Sequence, residues 1–158
     1  SIMLGIAKVL WNVGGIISSN YDIENIYIDG LSNIVKCTMK DASELLKKSW
    51  IIVHSYDIPL IVDEAHGPHL HFHDDLPISA VDCGADICTQ STHKIIGAMT
   101  QMSLLHVNSD RVDVNRVKQI FSLLHTTSPS YPLMASFRRA RRQIATEGKE
   151  LLDKAIKL

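Results

Sequence analysis

Two segments of the 158-residue chain put reactive side chains directly after apolar runs: Asp63-Glu-Ala-His-Gly67 and Ser91-Thr-His-Lys94. A lysine that is to form a Schiff base needs a neutral amine, so its surroundings must disfavour the ammonium form. Lys94 comes after a run of uncharged residues and is flanked by His93 and Ile95-Ile96. Taken alone, it reads as an ordinary surface lysine behind a strand. Asp63 closes the apolar run Ile58-Pro-Leu-Ile-Val62. A carboxylate in that place is costly unless it meets a cation, such as a protonated ring nitrogen; a turn or helix cap is the plainer alternative. Ser91 and His93 offer a hydroxyl and an imidazole beside Lys94, a pair suited to an anion or to a polar turn.

The elements that must position these groups alternate in type. Ile26-Tyr-Ile28 and Ile34-Val35 allow short strands, with Asp29-Gly30 as a turn between them. Asp41-Ala-Ser-Glu44 has capping-box spacing, and Leu45, Leu46, Trp50 and Val53 then share one helical face, which predicts a helix ending near His54. Strands are predicted at Ile58–Val62, Ala85–Thr89 and Gln101–Val107, with a short helix around Pro77–Val81. Val117, Ile120, Phe121 and Leu124 repeat at helical spacing behind Asp110 or Asp113 as cap. Thr126–Ser130 breaks that helix. Ser130 as cap and Pro132 in the first turn begin another, with Leu133, Phe137, Ala140, Ile144, Leu151 and Ala155 on one face. This rhythm predicts an α/β protein, whose chemistry gathers at the carboxyl ends of the strands. Asp63 and Ser91–Lys94 both stand at such ends.

Composition narrows the field of functions. The length suits one compact domain, and 46% apolar residues suit a globular protein. A net charge of -1 with no long run of one sign speaks against nucleic-acid or membrane-surface binding. Arg138, Arg139, Arg141 and Arg142 form the one basic cluster, and without aromatic stacking partners it reads as a solvated or interface face. Cys37, Cys83 and Cys88 are odd in number and lack CxxC spacing, which fits a reducing cytoplasm. The apolar start is interrupted by Lys8, Asn12 and glycines, so neither a signal peptide nor a membrane span is expected there.

Taken together, the two reactive segments, with His69-Leu-His-Phe-His73 and Gly84-Ala-Asp-Ile-Cys-Thr-Gln90 between them, closely resemble the major domain of the ornithine/lysine/arginine decarboxylases, the group with the aminotransferase-like fold. The resemblance runs on through Gly97, Thr100-Gln101, Arg111–Val117, Thr126–Tyr131 and Ala145–Leu151, and covers the chain from about Ser49 to the end. It divides the chain into a poorly matched segment, residues 1–48, and a partial cofactor-binding major domain, residues 49–158. It implies a mainly parallel sheet flanked by helices and pyridoxal 5'-phosphate as cofactor. It also implies roles for matched positions. Lys94 would carry the cofactor as an imine, Asp63 would pair with the pyridine nitrogen, and Ala65 would pack on the ring. Ser91 and His93 would contact the phosphate. His66 would lie near cofactor or substrate, where it or Lys94 would return a proton to the α-carbon. The implied reaction is decarboxylation of arginine, lysine or ornithine in a cytoplasmic homodimer or higher homo-oligomer. The Thr127–Ser130 turn would reach the cofactor of a neighbouring subunit.

Other readings use the same residues. Alternation on a strand would put His69, His71 and His73 on one face, with His66, Asp74 and Asp75 nearby, as in a zinc or nickel site; the decarboxylase resemblance needs no metal there. Cys83 and Cys88 have histidines nearby but no activating motif, and read as small buried residues. Asp74 and Asp75 could meet the far end of a basic substrate or simply be solvated. The family's phosphate-binding turn and ring-stacking residue have no clear counterpart in residues 1–48, where Gly14-Gly15 and Ser18-Ser19 are the nearest candidates. This leaves a second functional class: a truncated, inactive homologue acting as a binding or interaction protein.

Overall fold

The computed structural model describes residues 26–28 and 39–157. Strand β1 is Ile26–Ile28, helix α1 is Met39–Ser55, and strand β2 is Leu60–Asp63. A single 3₁₀ turn, Leu70–Phe72, follows. Strand β3 is Ile87–Ser91, the short helix α2 is Thr92–Ile95, and strand β4 is Ser103–Val107. Helices α3, Val114–Leu124, and α4, Tyr131–Ile156, complete the order. The predicted Asp29-Gly30 turn and the Ile34-Val35 strand lie outside the described residues.

The four strands form one sheet in the order β1-β2-β3-β4. The first three run parallel, with Ile26 opposite Leu60 and Asp63 opposite Thr89; β4 runs antiparallel to β3. The α/β expectation therefore holds, with a mixed sheet in which the parallel strands predominate. Because β1 to β3 point the same way, their carboxyl ends share one edge, and the two reactive segments meet there.

Helix α1 covers one face of this sheet. It begins at Met39, ahead of the Asp41 expected as its cap. Its Leu45, Ser49 and Val53 are fully buried, while Trp50 lies at the margin with its edge against His54. The core joins Val53, Ile58, Leu60, Val62, Ala80, Ala85 and Cys88. The helix stops in a Schellman arrangement: Ile58 N–H donates to the Val53 carbonyl at 3.0 Å and Asp57 N–H to that of His54 at 3.1 Å. Asp57 takes the left-handed conformation this needs, φ 57°, and Ile58 and Val53 then meet in the core.

Gly84 closes the turn before β3 at φ +91°. A Cβ there would stand 2.8 Å from Trp50 Nε1. Gly84→Ala is therefore expected to destabilise the fold by about 1–3 kcal/mol, read as a lower urea midpoint with the slope unchanged.

Several expectations need correction. Pro77–Val81 does not form a helix. Ser79 Oγ accepts from Asp82 N–H at 3.1 Å and donates to the Asp82 carboxylate at 2.7 Å, and Ala85 N–H closes back on the Ala80 carbonyl. Those bonds satisfy a chain of turns and leave no helix to propagate. The strand expected at Ala85–Thr89 is shifted to Ile87–Ser91, because pairing with β4 carries the ladder on through Gln90 and Ser91. Gln101, expected in β4, lies before it at φ 75°, outside the extended region. The strand that the metal reading would put at His69–His73 is absent; Leu70–Phe72 curls into the 3₁₀ turn.

Asp113 caps α3 by accepting from Asn115 and Arg116 N–H, and Ser130 and Pro132 open α4 as anticipated. On α4 the buried stripe is Ala140, Ile144 and Gly148, at strict spacings of four. Leu151 and Ala155, expected on that stripe, are exposed: the face turns towards Phe72, whose Cβ would stand 3.3 Å from a Cβ at Gly148. His73 Nε2 and Asp153 Oδ1, 3.0 Å apart, pin the same helix to the 3₁₀ turn. The four arginines of α4 are exposed. No helix of the described residues is long and apolar enough to cross a membrane.

Candidate active site

Strand alternation decides what faces where. Leu60 and Val62 on β2, with Cys88 and Gln90 on β3, point into the core side. Asp63, Thr89 and Ser91 therefore share the opposite face. Asp63 is exposed at the end of β2. Its Oδ1 accepts from Ala65 N–H at 3.0 Å and from the Thr89 hydroxyl at 3.1 Å. Oδ2 has no partner among the described residues, so the carboxylate is held by one oxygen and presents the other.

The ladder continues past the assigned strand ends. Glu64 N–H donates to the Thr89 carbonyl at 2.9 Å, and Ser91 N–H to the Ala65 carbonyl at 3.1 Å. This second bond joins the Asp63–Gly67 segment to the Ser91–Lys94 segment directly. Beyond Ser91 the chain turns into α2. Thr92, fully buried, donates its hydroxyl to the Met102 carbonyl at 2.9 Å, and His93 Nδ1 lies 2.9 Å from that same oxygen. The only role open to Nδ1 there is donor, which leaves His93 Nε2 as an acceptor in the neutral ring and a donor once the ring is protonated. Lys94 is exposed one residue further on. His66 is exposed on the turn after β2, and Ala65 is half-buried beside Asp63.

Behind this face lie polar groups that the residue patterns did not single out. Asp86, fully buried, accepts from Leu60 N–H and meets His54 Nε2, each at 2.7 Å, and takes a hydrogen bond from Ser109 Oγ. Burial alone would raise its pKa; the bonds from Ser109, Leu60 and His54 outweigh that and hold it below the usual carboxylate range. The signal for it was a lone aspartate inside the apolar stretch Ala85–Cys88. Glu64 is half-buried and pushed above its ordinary pKa by desolvation, against bonds from Gln90 and Ala80 that pull it down. Thr89 was legible only through strand register, since it is the residue opposite Asp63.

The rival chemistries find less support. Burial pushes the thiols of Cys83 and Cys88 up to about 11 and about 12, which disfavours a nucleophilic thiolate. His71 pairs with Asp82 at 2.9 Å and His73 with Asp153, so two of the three alternating histidines are tied to separate carboxylates. Among the described residues no group of three or more His, Cys, Asp or Glu side chains is arranged to hold a metal ion. Asp74 lies 3.7 Å from Lys149 of α4.

The residues present suit a pyridine cofactor bearing an aldehyde and a phosphate. One free carboxylate oxygen lies in one segment, and an exposed lysine, a hydroxyl and an imidazole in the other, and the Ser91 N–H to Ala65 carbonyl bond joins the two at the carboxyl end of the sheet.

Comparison with known proteins places the chain in a family. The sequence is 53% identical over 107 residues to an arginine decarboxylase of Bacillus anthracis, covering 68% of this chain and 22% of that protein. It is 50% identical over 113 residues to the arginine decarboxylase of Bacillus subtilis (strain 168), covering 72% of this chain and 23% of that one. The constitutive lysine decarboxylase of Escherichia coli (strain K12) is 32% identical over 120 residues, covering 71% of this chain and 16% of its own length. The chain thus spans less than a quarter of the length of these relatives. The family model described as "Orn/Lys/Arg decarboxylase, major domain" matches residues 31–158. The chain belongs to the Orn/Lys/Arg decarboxylase family, as part of its major domain.

Proposed function

We propose that the chain is a pyridoxal-phosphate-binding portion of an aminotransferase-like major domain, and that it serves the decarboxylation of arginine, lysine or ornithine. The observation that carries this reading is the junction of the two segments, with Asp63 and Ser91 on one sheet face and Ser91 N–H bonded to the Ala65 carbonyl.

Bound at this edge, pyridoxal phosphate would supply an electron sink for the pair left at the α-carbon when carbon dioxide departs. The chain's own residues do the rest. Lys94 would hold the cofactor through its amine and would be available to carry a proton. Asp63 would pair through Oδ2 with the ring nitrogen and keep it protonated. Ala65 is small enough for a flat ring to lie against it. The Ser91 hydroxyl and His93 would hold the phosphate. His66, exposed on the turn after β2, or Lys94 would return a proton to the α-carbon.

Thr89 acts through Asp63. Thr89→Val keeps the side-chain shape but removes the hydroxyl, so Asp63 loses one of the two bonds that orient it. Cofactor binding is expected to weaken about three- to tenfold, with Thr89→Ser close to wild type in a cofactor titration.

The function itself is tested by supplying the chain with pyridoxal phosphate and measuring carbon dioxide release from arginine, lysine and ornithine. Release from one of the three supports the reading. Cofactor binding without release from any would favour the inactive homologue, a binding protein built on the same domain.

A further inference from the structure

On the core side of the sheet, directly behind the candidate site, Glu64 and Gln90 face each other. Glu64 is the neighbour of Asp63, and Gln90 lies between Thr89 and Ser91. Gln90 Nε2 donates to Glu64 Oε2 at 2.7 Å and makes a longer contact to the Gly67 carbonyl at 3.4 Å. Glu64 Oε1 accepts from Ala80 N–H at 2.8 Å. With its amide nitrogen turned to a carboxylate, Gln90 must turn its oxygen to His106, whose Nε2 lies 3.1 Å away and is therefore the donor. Gln90 is buried, and every polar group on it is used.

Gly67 completes the arrangement. A Cβ at this position would collide with Cγ and Cδ of Glu64. The Glu64 side chain folds back under the turn into space that only a glycine leaves open. The segment Asp63–Gly67 thus serves two faces at once: Asp63 presents to the candidate site, while Glu64 reaches through to the other side.

We propose that Glu64 and Gln90 are positioning residues, a clamp that fixes the ends of β2 and β3 relative to each other and so sets where Asp63 stands with respect to Ser91 and Lys94. This role rests on the cofactor reading above. Among the described residues, the backbone bonds that carry the ladder past Asp63 are Glu64 N–H to Thr89 and Ser91 N–H to Ala65. A hydrogen bond to a partly desolvated carboxylate is stronger than a neutral one, and spans the same two strands from behind.

The test uses the full chain, two single variants and their combination. Glu64→Gln places an amide against an amide, and Gln90→Glu a carboxylate against a carboxylate. The double variant E64Q/Q90E restores one donor and one acceptor in exchanged places, and the amide oxygen brought to position 64 can still accept from Ala80 N–H. Two readouts are taken. Amide-resolved hydrogen exchange reports the ladder without any cofactor, and borohydride trapping with pyridoxal phosphate followed by peptide mapping reports capture at Lys94.

Each single variant is expected to speed exchange at the Glu64 and Ser91 amides about tenfold. The amides of Asp86 and Asn108, at the other end of the strands, keep their rates. Capture at Lys94 at subsaturating cofactor should fall by a similar factor, and the double variant should recover most of both losses. Unchanged exchange in the single variants would overturn the clamp. Faster exchange with unchanged capture, or no recovery in the double variant, would overturn the positioning role. A wild-type chain that captures no cofactor at Lys94 would overturn the cofactor reading itself, and with it the role assigned here; that outcome is distinct because it appears before any substitution is made.

Discussion

Replacing Lys94 by alanine is expected to abolish covalent capture of pyridoxal phosphate by the chain and any carbon dioxide release with it. Lys94 is the exposed lysine that directly follows Ser91 and His93, at the edge where the Asp63 carboxylate presents its free oxygen. No other side chain in either segment has an amine to offer. Lys94→Arg should fail equally, since a guanidinium stays protonated and forms no imine. The visible absorbance of lysine-bound cofactor is the readout. Asp63 and Ser91 remain in place in both variants, so weak non-covalent binding should persist and show as quenching or as a shifted cofactor spectrum. Wild-type absorbance retained in Lys94→Ala would show that another lysine is the one used.

The largest expected effect on stability comes from Asp86. Asp86→Ala would leave Leu60 N–H and Ser109 Oγ without their acceptor and strand a nearly buried His54. Removing one partner of a buried charged network typically costs about 3–5 kcal/mol, a large share of the about 5–15 kcal/mol by which domains are stable. Urea unfolding should show a much lower midpoint or no folded baseline. The acid dependence carries a sign. Asp86 has its folded pKa depressed, so its stabilisation is fully present above the unfolded value of about 3.9 and is lost as pH falls through the lower folded value. Asp86→Asn should therefore be less stable than wild type at neutral pH and lose less on acidification. A wild-type midpoint that stays flat across that acid range would contradict this assignment.

What could be read from the residues alone was what local pattern controls. The apolar runs before Asp63 and Ser91 announced strand ends, and parallel strands bring their carboxyl ends to one edge, so the meeting of the two segments followed. The α3 cap and the Ser130-Pro132 start of α4 were equally local. The misread pieces depend on partners distant in sequence. The alternation of His69, His71 and His73 that a metal reading would set on a strand is broken up instead, because His71 and His73 are held by Asp82 and Asp153, the second 80 residues away. Leu151 continues the apolar period of α4, yet the helix face is chosen by Phe72 and the buried stripe runs through Gly148 instead. The Glu64–Gln90 pair spans 26 residues and depends on strand register, which no local spacing reveals. Asp86 lies in an apolar run, but nothing local revealed the network around it.

Function was legible in a similar way. Neither Lys94 nor Asp63 is distinctive alone; their joint pattern pointed to the decarboxylase family, to which the chain belongs. The fold shows what the pattern brings together. A parallel register sets Asp63 opposite Thr89, one bond ties Ala65 to Ser91, and the short α2 turn carries Lys94 out to the same edge.

The central claim is that this edge binds pyridoxal phosphate through Lys94. The most direct measurement is borohydride reduction of the wild-type chain with limiting pyridoxal phosphate, followed by peptide mapping of the modified lysines. The account predicts label concentrated on the peptide carrying Ser91-Thr-His-Lys94, lost when Asp63 is replaced by alanine. Label spread evenly over the chain's lysines, or concentrated on one outside this segment, would contradict it.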